Sequence, residues 1–324
     1  MRSALHCFDR SDIAPVDKGM YALRDVSGST ESLPLIASSI MSKKIAENPA
    51  GGLVLDVKTG SGAFLQDFDA SVALAEAMVA AGTGAGIPTV ALLTSADQPL
   101  GRTVGNWIET EEAVRLCAGH VCEAPDVAEL AVHEAAQMLV MAGGHDVDAA
   151  LGAARARLEE GGALPFFAAM VEAQGGDPSL VMATAECRAA PTAGEEGLAL
   201  RIDHPAVPSS AHAKSLLAPR DGVVAAIDAK EIGLASVGLG AGRRTMDDAI
   251  DPGAGFRLHC KVGDNVEKGQ ALCTAFANDA SCLDVALGKA GGAYTISDEL
   301  TTPSPPLISH VFTQDSGLLP YAWR

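Results

Sequence analysis

The spacing of apolar and polar positions predicts alternating strands and helices in the first part of the chain. Residues 53–57 and 88–93 are apolar runs of strand length, and residues 71–81 between them repeat apolar side chains at helical intervals. A strand, a helix and a strand in this order predict two parallel strands joined by a right-handed crossover. The same spacing, with glycines as end signals, predicts further helices at residues 108–117, 127–142, 147–160 and 164–172.

From Ala213 onwards the pattern changes to short apolar runs separated by turn residues, after a linker-like stretch at residues 188–212. The segment Lys261–Gly269 resembles the half-barrel of biotinyl and lipoyl carriers, but the chain has no Ala-Met-Lys-Met sequence to display a modified lysine. We therefore interpret this region as a structural, β-rich module. The proline-rich tail after Pro303 is expected to run over the surface. Strands are expected at residues 216–218, 223–227, 258–262 and 271–275.

A helix with a polar face precedes the first strand. Pro34 opens this helix and Pro49 prevents its continuation, because proline is tolerated in a first turn but ends a helix from inside. Ser39 and Lys43 are one turn apart and therefore project from the same face. With Arg24 upstream, they supply a hydroxyl, an ammonium and a guanidinium for a flat ligand that carries carbonyl oxygens and a ring N–H. The polar helix and the glycine-rich turn after the strand predict a pocket rather than a core.

Composition and charge exclude several classes of function. A chain of 324 residues, of which 48% are hydrophobic, can bury a sizeable core and form more than one domain. The formal net charge of −18 argues against a nucleic-acid groove and an anionic membrane surface as partners. The seven cysteines include no Cys-x-x-Cys pair, which argues against a disulfide framework and a structural zinc site. Since the sequence has neither an apolar run of about 18 residues nor a signal peptide, we expect a cytoplasmic protein.

Three separate motifs resemble the thymidine/pyrimidine-nucleoside phosphorylase family and occur in the family's order. They are YALRD at residues 21–25, SLPLIASSIMSKK at 32–44 and LDVKTGSGAF at 55–64. The resemblance runs from about Ala14 to the end of the C-terminal domain. It implies a pentosyltransferase of nucleoside salvage, which carries out the reversible phosphorolysis of a pyrimidine (deoxy)nucleoside to the free base and (deoxy)ribose 1-phosphate.

The resemblance implies a role for each residue around the polar helix. Arg24 and Lys43 would donate to the carbonyl oxygens of the pyrimidine and stabilise its developing negative charge, so both are candidate catalytic and substrate-binding residues. Ser39 would bond the ring N–H, and Tyr21 and Phe64 would form walls of the pocket. The spacing alone also fits another interpretation, in which Lys43 lies on a solvated helix end and Arg24 pairs with a neighbouring aspartate.

The phosphate site of the family is the part that this sequence does not show. The family's anion cradle is a Lys-x-Ser-x-Gly-Gly segment upstream of the base-binding stretch, and no such segment is found here. The nearest glycine pair, Gly60-x-Gly62, is better interpreted as a tight turn. The chain begins inside the family's pattern, so we expect an N-terminally truncated member whose activity is impaired. Inorganic phosphate is the implied co-substrate, and no organic cofactor is implied.

The resemblance also implies a monovalent cation, K⁺, held by loop carbonyls and one glutamate. The matching positions are Leu100, Thr103 and Glu112, with Thr103 in place of the usual alanine. Glu112 is equally compatible with an ordinary acid on a helix surface. The implied partners are a pyrimidine nucleoside and phosphate, without nucleic acid or membrane, and the implied assembly is a homodimer.

The patterns and the resemblance together predict an α/β fold in three regions. Residues 1–48 are interpreted as the remnant of a helical subdomain, residues 49–200 as a partial, mixed or parallel α/β domain, and residues 201–324 as a C-terminal α+β domain of barrel-sandwich or hammerhead-like type with its tail. Two other functions stay open. One is a non-catalytic binding or interaction protein derived from the family. The other is an anthranilate phosphoribosyltransferase-like enzyme, against which the C-terminal β-rich module argues.

Overall fold

The computed structural model describes residues 32–47, 51–187, 204–245, 247–300 and 305–323. These residues form helices and mixed parallel and antiparallel sheets, so the predicted α/β class is confirmed. They group into two compact units. The first unit contains residues 32–47, 51–96, 126–157 and 305–323, and the second unit contains residues 97–125, 158–187, 204–245 and 247–300. The predicted division of the chain at residues 48 and 200 stays a prediction.

The helices and strands are numbered in chain order. The helices are α1 (Leu33–Glu47), α2 (Phe68–Gly84), α3 (Trp107–Cys117), α4 (Pro125–Met141), α5 (Val147–Glu159), α6 (Leu164–Ala173), α7 (Pro178–Glu186), α8 (Ala229–Leu239) and α9 (Leu283–Ala293). The strands are β1 (Leu53–Thr59), β2 (Thr89–Ser95), β3 (Thr103–Gly105), β4 (His212–Leu217), β5 (Gly222–Ile227), β6 (Gly255–Leu258), β7 (Asn265–Val266), β8 (Ala271–Ala277), β9 (Tyr294–Ser297), β10 (Ile308–Thr313) and β11 (Gly317–Pro320).

The first unit is built on a sheet with the strand order β1-β2-β10-β11. Strands β1 and β2 are parallel, with Leu53 opposite Thr89, which confirms the predicted strand–helix–strand crossover. Leu55 and Val57 of β1 are buried in one apolar cluster with residues of α1 and α2. Because strand side chains alternate, Asp56 lies on the other face of β1. One face of this strand therefore builds the core and the other carries charge.

The C-terminal tail corrects one expectation. We expected the chain after Pro303 to run over the surface, but β10 pairs antiparallel with β2 and β11 pairs with β10. Ile308 is buried, and Phe312 packs against the apolar cluster of the first unit. The prolines just before β10 obscured this strand signal. The turn that joins β10 to β11 ends at Gly317, whose φ of 65° lies in the left-handed region that glycine adopts without strain.

The second unit contains two antiparallel sheets, with strand orders β3-β6-β8-β4 and β7-β5-β9. Helices α8 and α9 pack with both sheets around one apolar core. Its largest fully buried side chains include Phe256, Ile227, Ile232 and Leu272. This unit is therefore an α+β structure, as the predicted α+β class of the C-terminal region requires.

The prediction of strands alone in the C-terminal region missed two helices. Helix α8 is capped at its N-terminus by Asp228, whose side chain accepts a hydrogen bond from the Glu231 N–H. Its C-terminal cap is Gly240, with φ 107°. The glycines inside α8 and α9 lower intrinsic helix propensity, and burial of Ile232 and Leu239 against the sheets outweighs that cost. The strand predicted at residues 258–262 is wrong beyond Leu258, where β6 ends.

Two further elements were absent from the sequence prediction. Helix α7 follows the last helix predicted from the sequence, at residues 164–172. Its start signals are Asp177, which accepts a hydrogen bond from the Ser179 N–H, and Pro178 in the first turn. Strand β3 lies between the predicted strand at residues 88–93 and the predicted helix at residues 108–117, and it pairs with β6. The other helices predicted before residue 174 agree with the structure within a few residues at each end.

Candidate functional site

The predicted polar pair lies on one face of α1. The Lys43 Nζ donates a hydrogen bond to the Ser39 Oγ over 2.9 Å, and both residues are half-buried. The rotation of α1 about its axis is set by Ile36 and Met41, which are buried in the core of the first unit. The predicted one-turn spacing is therefore confirmed, and the hydroxyl and the ammonium are close enough to contact one ligand.

The other residues of the expected pocket are only partly described. Arg24 and Tyr21 lie outside the described residues, so their roles stay predictions. Phe64 follows the turn after β1 and is 54% exposed, which leaves its ring accessible to a ligand. A shared pocket for Arg24, Ser39, Lys43, Tyr21 and Phe64 remains a prediction.

The glycine turn after β1 is held by backbone hydrogen bonds. The Gly62 N–H donates to the Ala96 carbonyl over 2.9 Å, and the Ala96 N–H donates to the Thr59 carbonyl over 2.7 Å. Gly60 has φ 92°, which a residue with a side chain rarely adopts. These contacts connect the carboxyl ends of β1 and β2. They support the interpretation of Gly60-x-Gly62 as a tight turn, because the Gly62 N–H is used within the protein.

The sequence reasoning missed a polar cluster on the face of the parallel strands that is opposite to the apolar cluster with α1 and α2. The Lys58 Nζ donates to the Asp56 Oδ2 over 2.5 Å and to the Thr94 Oγ1 over 3.1 Å. The fully buried Thr94 hydroxyl in turn donates to the Asp56 Oδ1. The available signal was the pair Asp56 and Lys58, two charges on one face of an otherwise apolar strand. We call Asp56, Lys58, Thr94 and Glu134 the carboxyl cluster.

Glu134 of α4 completes the carboxyl cluster. Burial, the negative charge of Asp56 and a hydrogen bond with Asp56 raise the pKa of Glu134 to about 7, although Lys58 opposes the shift. Two carboxyl groups close together favour sharing one proton, because ionising both brings like charges together. The cluster therefore holds a carboxyl group that titrates near neutral pH.

The residues of the implied cation site all lie in the second unit. The Glu112 Oε2 accepts a hydrogen bond from the Arg102 N–H over 2.8 Å, which brings the carboxylate to the loop next to Thr103. Thr103 is 2% exposed, and its Oγ1 has no hydrogen-bond partner among the described residues. A buried hydroxyl, loop carbonyls and a carboxylate are hard oxygen donors, so these residues fit an alkali-metal cation. Lys261, which the sequence reasoning did not single out, donates to carbonyls of the same loop.

Two other kinds of site are absent from the described ranges. Over these residues, no three or more His, Cys, Asp and Glu side chains are grouped so that they would hold a metal ion. Among the helices of the same ranges, none combines the length and the apolar character that crossing a membrane requires.

Comparisons with known proteins show which sequences this chain is similar to. Residues 223–297 match the family described as "Pyrimidine nucleoside phosphorylase C-terminal domain". The chain is 39% identical over 304 residues to a protein of Mycobacterium tuberculosis named thymidine phosphorylase. It is 40% identical over 308 residues to a protein of Staphylococcus aureus named pyrimidine-nucleoside phosphorylase. Each alignment covers 94% of this chain and 64% of the relative, so the chain spans about 64% of the length of these relatives.

Proposed function

We propose that this chain, which is homologous over 94% of its length to thymidine and pyrimidine-nucleoside phosphorylases, is a pyrimidine-nucleoside phosphorylase. The comparisons find similarity to the family that the sequence motifs resemble, and the matched C-terminal domain makes an anthranilate phosphoribosyltransferase-like enzyme the less favoured alternative. The proposed reaction is the reversible phosphorolysis of a pyrimidine (deoxy)nucleoside to the free base and (deoxy)ribose 1-phosphate.

The observation that supports this proposal best is the contact between Lys43 and Ser39 on α1. In the proposed mechanism the pyrimidine leaves the sugar with a negative charge, and the Lys43 ammonium donates to the carbonyl oxygen where that charge develops. The Ser39 Oγ accepts a hydrogen bond from the ring N–H, and Arg24 donates a hydrogen bond to the second carbonyl oxygen. Removing one fixed donor from a comparable oxyanion site costs about 2.7–4 kcal/mol of transition-state stabilisation.

Inorganic phosphate is the proposed co-substrate, and its attack on the anomeric carbon breaks the bond to the base. Positioning of two reactants contributes about 7–11 kcal/mol in well-oriented systems. The sequence contains no Lys-x-Ser-x-Gly-Gly segment, and the Gly62 N–H already serves the Ala96 carbonyl. The second candidate function is a non-catalytic binding protein derived from the family, and the phosphate dependence of turnover is the test that separates the two.

The test is release of base from thymidine, deoxyuridine and uridine by the purified chain, with and without phosphate. The proposal expects slow release that requires phosphate and yields the sugar 1-phosphate in equal amount. Binding of thymine without phosphate-dependent release at high protein concentration would instead establish the second candidate. Absence of both thymine binding and turnover would contradict the two proposals together.

A monovalent cation at the second-unit loop is a separate part of the proposal. The proposed ligands are the carbonyls of Leu100 and Thr103 and the Glu112 carboxylate. The Thr103 hydroxyl, which has no hydrogen-bond partner among the described residues, is a further oxygen that could bind the ion. The ion would neutralise Glu112 and so stabilise the folded state. We expect a higher melting temperature in KCl than in choline chloride at equal ionic strength. A Glu112→Gln variant should lose that difference.

Location and assembly also remain proposals. We propose a cytoplasmic protein that acts on small molecules, as expected from the sequence and from the names of its relatives. A homodimer is the assembly implied by the family. Light scattering coupled to size-exclusion chromatography would measure the mass against that of one 33.0 kDa chain.

A further inference from the structure

The loop that leads into β3 is tied to the turn that follows β6 within the second unit. The Lys261 Nζ donates a hydrogen bond to the Gly101 carbonyl over 2.8 Å and another to the Pro99 carbonyl. Beside it, the Val262 N–H donates to the Gln98 Oε1 over 3.0 Å. One ammonium therefore holds two carbonyls of a loop that has little regular structure of its own.

The next loop residue, Arg102, is held by hydrogen bonds of both its backbone and its side chain. The Leu258 N–H donates to the Arg102 carbonyl over 2.7 Å, and the Arg102 Nη1 donates to the His259 carbonyl over 3.2 Å. The Arg102 N–H donates to Glu112, as described above. Gln98, Pro99, Gly101 and Arg102 are consequently each held by at least one hydrogen bond from outside the loop. Lys261 supplies two of these bonds from a single ammonium.

The side chain of Lys261 starts from a fixed backbone. The Lys261 N–H donates to the Asp264 Oδ2 over 2.8 Å, and the Asp264 N–H donates back to the Lys261 carbonyl over 3.1 Å. Gly263 between them has φ 98°, a conformation that glycine adopts without strain. Because this turn is closed on itself, less conformational entropy is lost when the ammonium contacts the loop.

We propose that Lys261 is a positioning residue that acts as a tethered cation for residues 97–103. Its ammonium orients the Pro99 and Gly101 carbonyls much as an alkali-metal ion orients its carbonyl ligands, but it cannot dissociate from the chain. The loop is then ordered without added potassium, and any ion at Leu100, Thr103 and Glu112 binds to a segment that is already formed. This proposal concerns the order of the loop and does not depend on the proposed reaction.

Amide hydrogen exchange, followed by mass spectrometry on peptides covering residues 96–106, tests this proposal. The variants are Lys261→Met, Lys261→Arg and, as a matched control, Lys268→Met, which removes an exposed ammonium close to the same turn. Each protein is measured in KCl and in choline chloride at equal ionic strength. Exchange in β8, Ala271–Ala277, reports whether the surrounding domain stays folded.

The proposal expects the wild-type loop to be protected in choline chloride as well as in KCl. Lys261→Met should exchange at least tenfold faster at residues 100–103, while Lys261→Arg should restore most of the protection because Arg also donates to carbonyls. Lys268→Met should match the wild type. The proposal is overturned if Lys261→Met leaves the loop protected, or if the wild-type loop is protected only in KCl. If Lys261→Met also loses protection in β8, the Lys261→Arg variant provides the test. Loop protection close to that of the wild type in choline chloride then supports the proposal, and loss of loop protection with β8 still protected overturns it.

Discussion

The two units each contain a compact group of charged side chains, and the two groups differ in charge balance. In the first unit, the carboxyl cluster brings one ammonium, that of Lys58, to two carboxyl groups. In the second unit, two guanidinium groups meet two carboxylates. These are Arg115 with Glu123 and Arg257 with Glu111, which we call the paired cluster.

In the paired cluster every acid has a base. The Arg115 Nε donates to the Glu123 Oε2 over 2.5 Å, a second guanidinium nitrogen donates to the other oxygen, and Arg115 is 3% exposed. The Arg257 Nη2 donates to the Glu111 Oε1 over 2.8 Å. Burial raises the pKa of Glu111, and the charge and hydrogen bond of Arg257 oppose that shift. Such a matched group is typical of a structural network.

The carboxyl cluster keeps one acid in excess. Lys58 donates hydrogen bonds to Asp56 and Thr94, and Glu134 faces the Asp56 carboxylate, whose charge and hydrogen bond raise the pKa of Glu134. The comparison teaches that charge balance sets how far burial shifts a carboxyl group: the raised pKa of Glu111 is opposed by the Arg257 guanidinium, whereas that of Glu134 is raised further by the Asp56 carboxylate. The following predictions test this distinction.

The largest effect is expected from Arg115→Met. Removing the buried Arg115 leaves Glu123, which is 28% exposed, without its base. Breaking a fully buried pair typically costs about 3–5 kcal/mol, so we expect a loss near the lower end of that range. Urea unfolding monitored by circular dichroism would measure the change. The control is Arg220→Met, which breaks an exposed pair with Asp298 and should cost less than about 1 kcal/mol. Equal losses in both variants would contradict the structural role of the paired cluster.

A smaller loss is expected from Lys58→Met. The variant removes the donor to Asp56 and Thr94 and leaves two carboxyl groups without a cation, so we expect about 1–3 kcal/mol of destabilisation at neutral pH. The same change should raise the pKa of Glu134 further. Lys214→Met is the matched control, because Lys214 forms an exposed pair with Asp284. A Lys58→Met protein as stable as the control would show that Lys58 does not balance the carboxyl cluster.

The smallest effect is the pH dependence caused by Glu134. Its pKa is raised from 4.5 to about 7 in the folded protein, so the folded state binds the proton more tightly than the unfolded state. The stability from this group is complete below about pH 4.5 and is lost as the pH rises through about 7. Because the Glu134 side chain is only partly buried, screening by water reduces the expected loss in the free energy of unfolding over this pH range to about 1 kcal/mol.

Glu134→Gln keeps a donor for Asp56 and cannot ionise. Its free energy of unfolding should therefore decline less than that of the wild type between about pH 5 and pH 7.5. Paired urea titrations at half-unit pH steps would measure the difference. Parallel pH profiles for wild type and variant would show that Glu134 does not titrate in this range.

The features that could be predicted from the sequence are those that local residue spacing determines. The pair Ser39 and Lys43 follows from helix periodicity, and the parallel strands follow from apolar runs separated by a helix. Both features are decided within one or two neighbouring elements. The roles of Arg24 and Tyr21 depended on the family resemblance and stay predictions.

What the sequence did not reveal depends on distant parts of the chain. Strand β10 is recognisable only through its pairing with β2, and α8 is stabilised by burial against sheets rather than by helix propensity. Lys261 acts on carbonyls about 160 positions away in the sequence, and Glu134 meets Asp56 from another element. No local pattern encodes such contacts, because each partner alone looks like an ordinary surface charge.

The central claim is that the face of α1 with Ser39 and Lys43 recognises a pyrimidine base. Calorimetric titration of thymine into wild type, Lys43→Met and Lys44→Met tests it most directly, because Lys44 is adjacent but forms an exposed pair with Glu47. A hydrogen bond to a charged group contributes about 1.5–3 kcal/mol, so Lys43→Met should weaken binding about 10- to 150-fold. Lys44→Met should bind as the wild type does. Equal affinities of all three proteins, or no binding by the wild type, would contradict the claim.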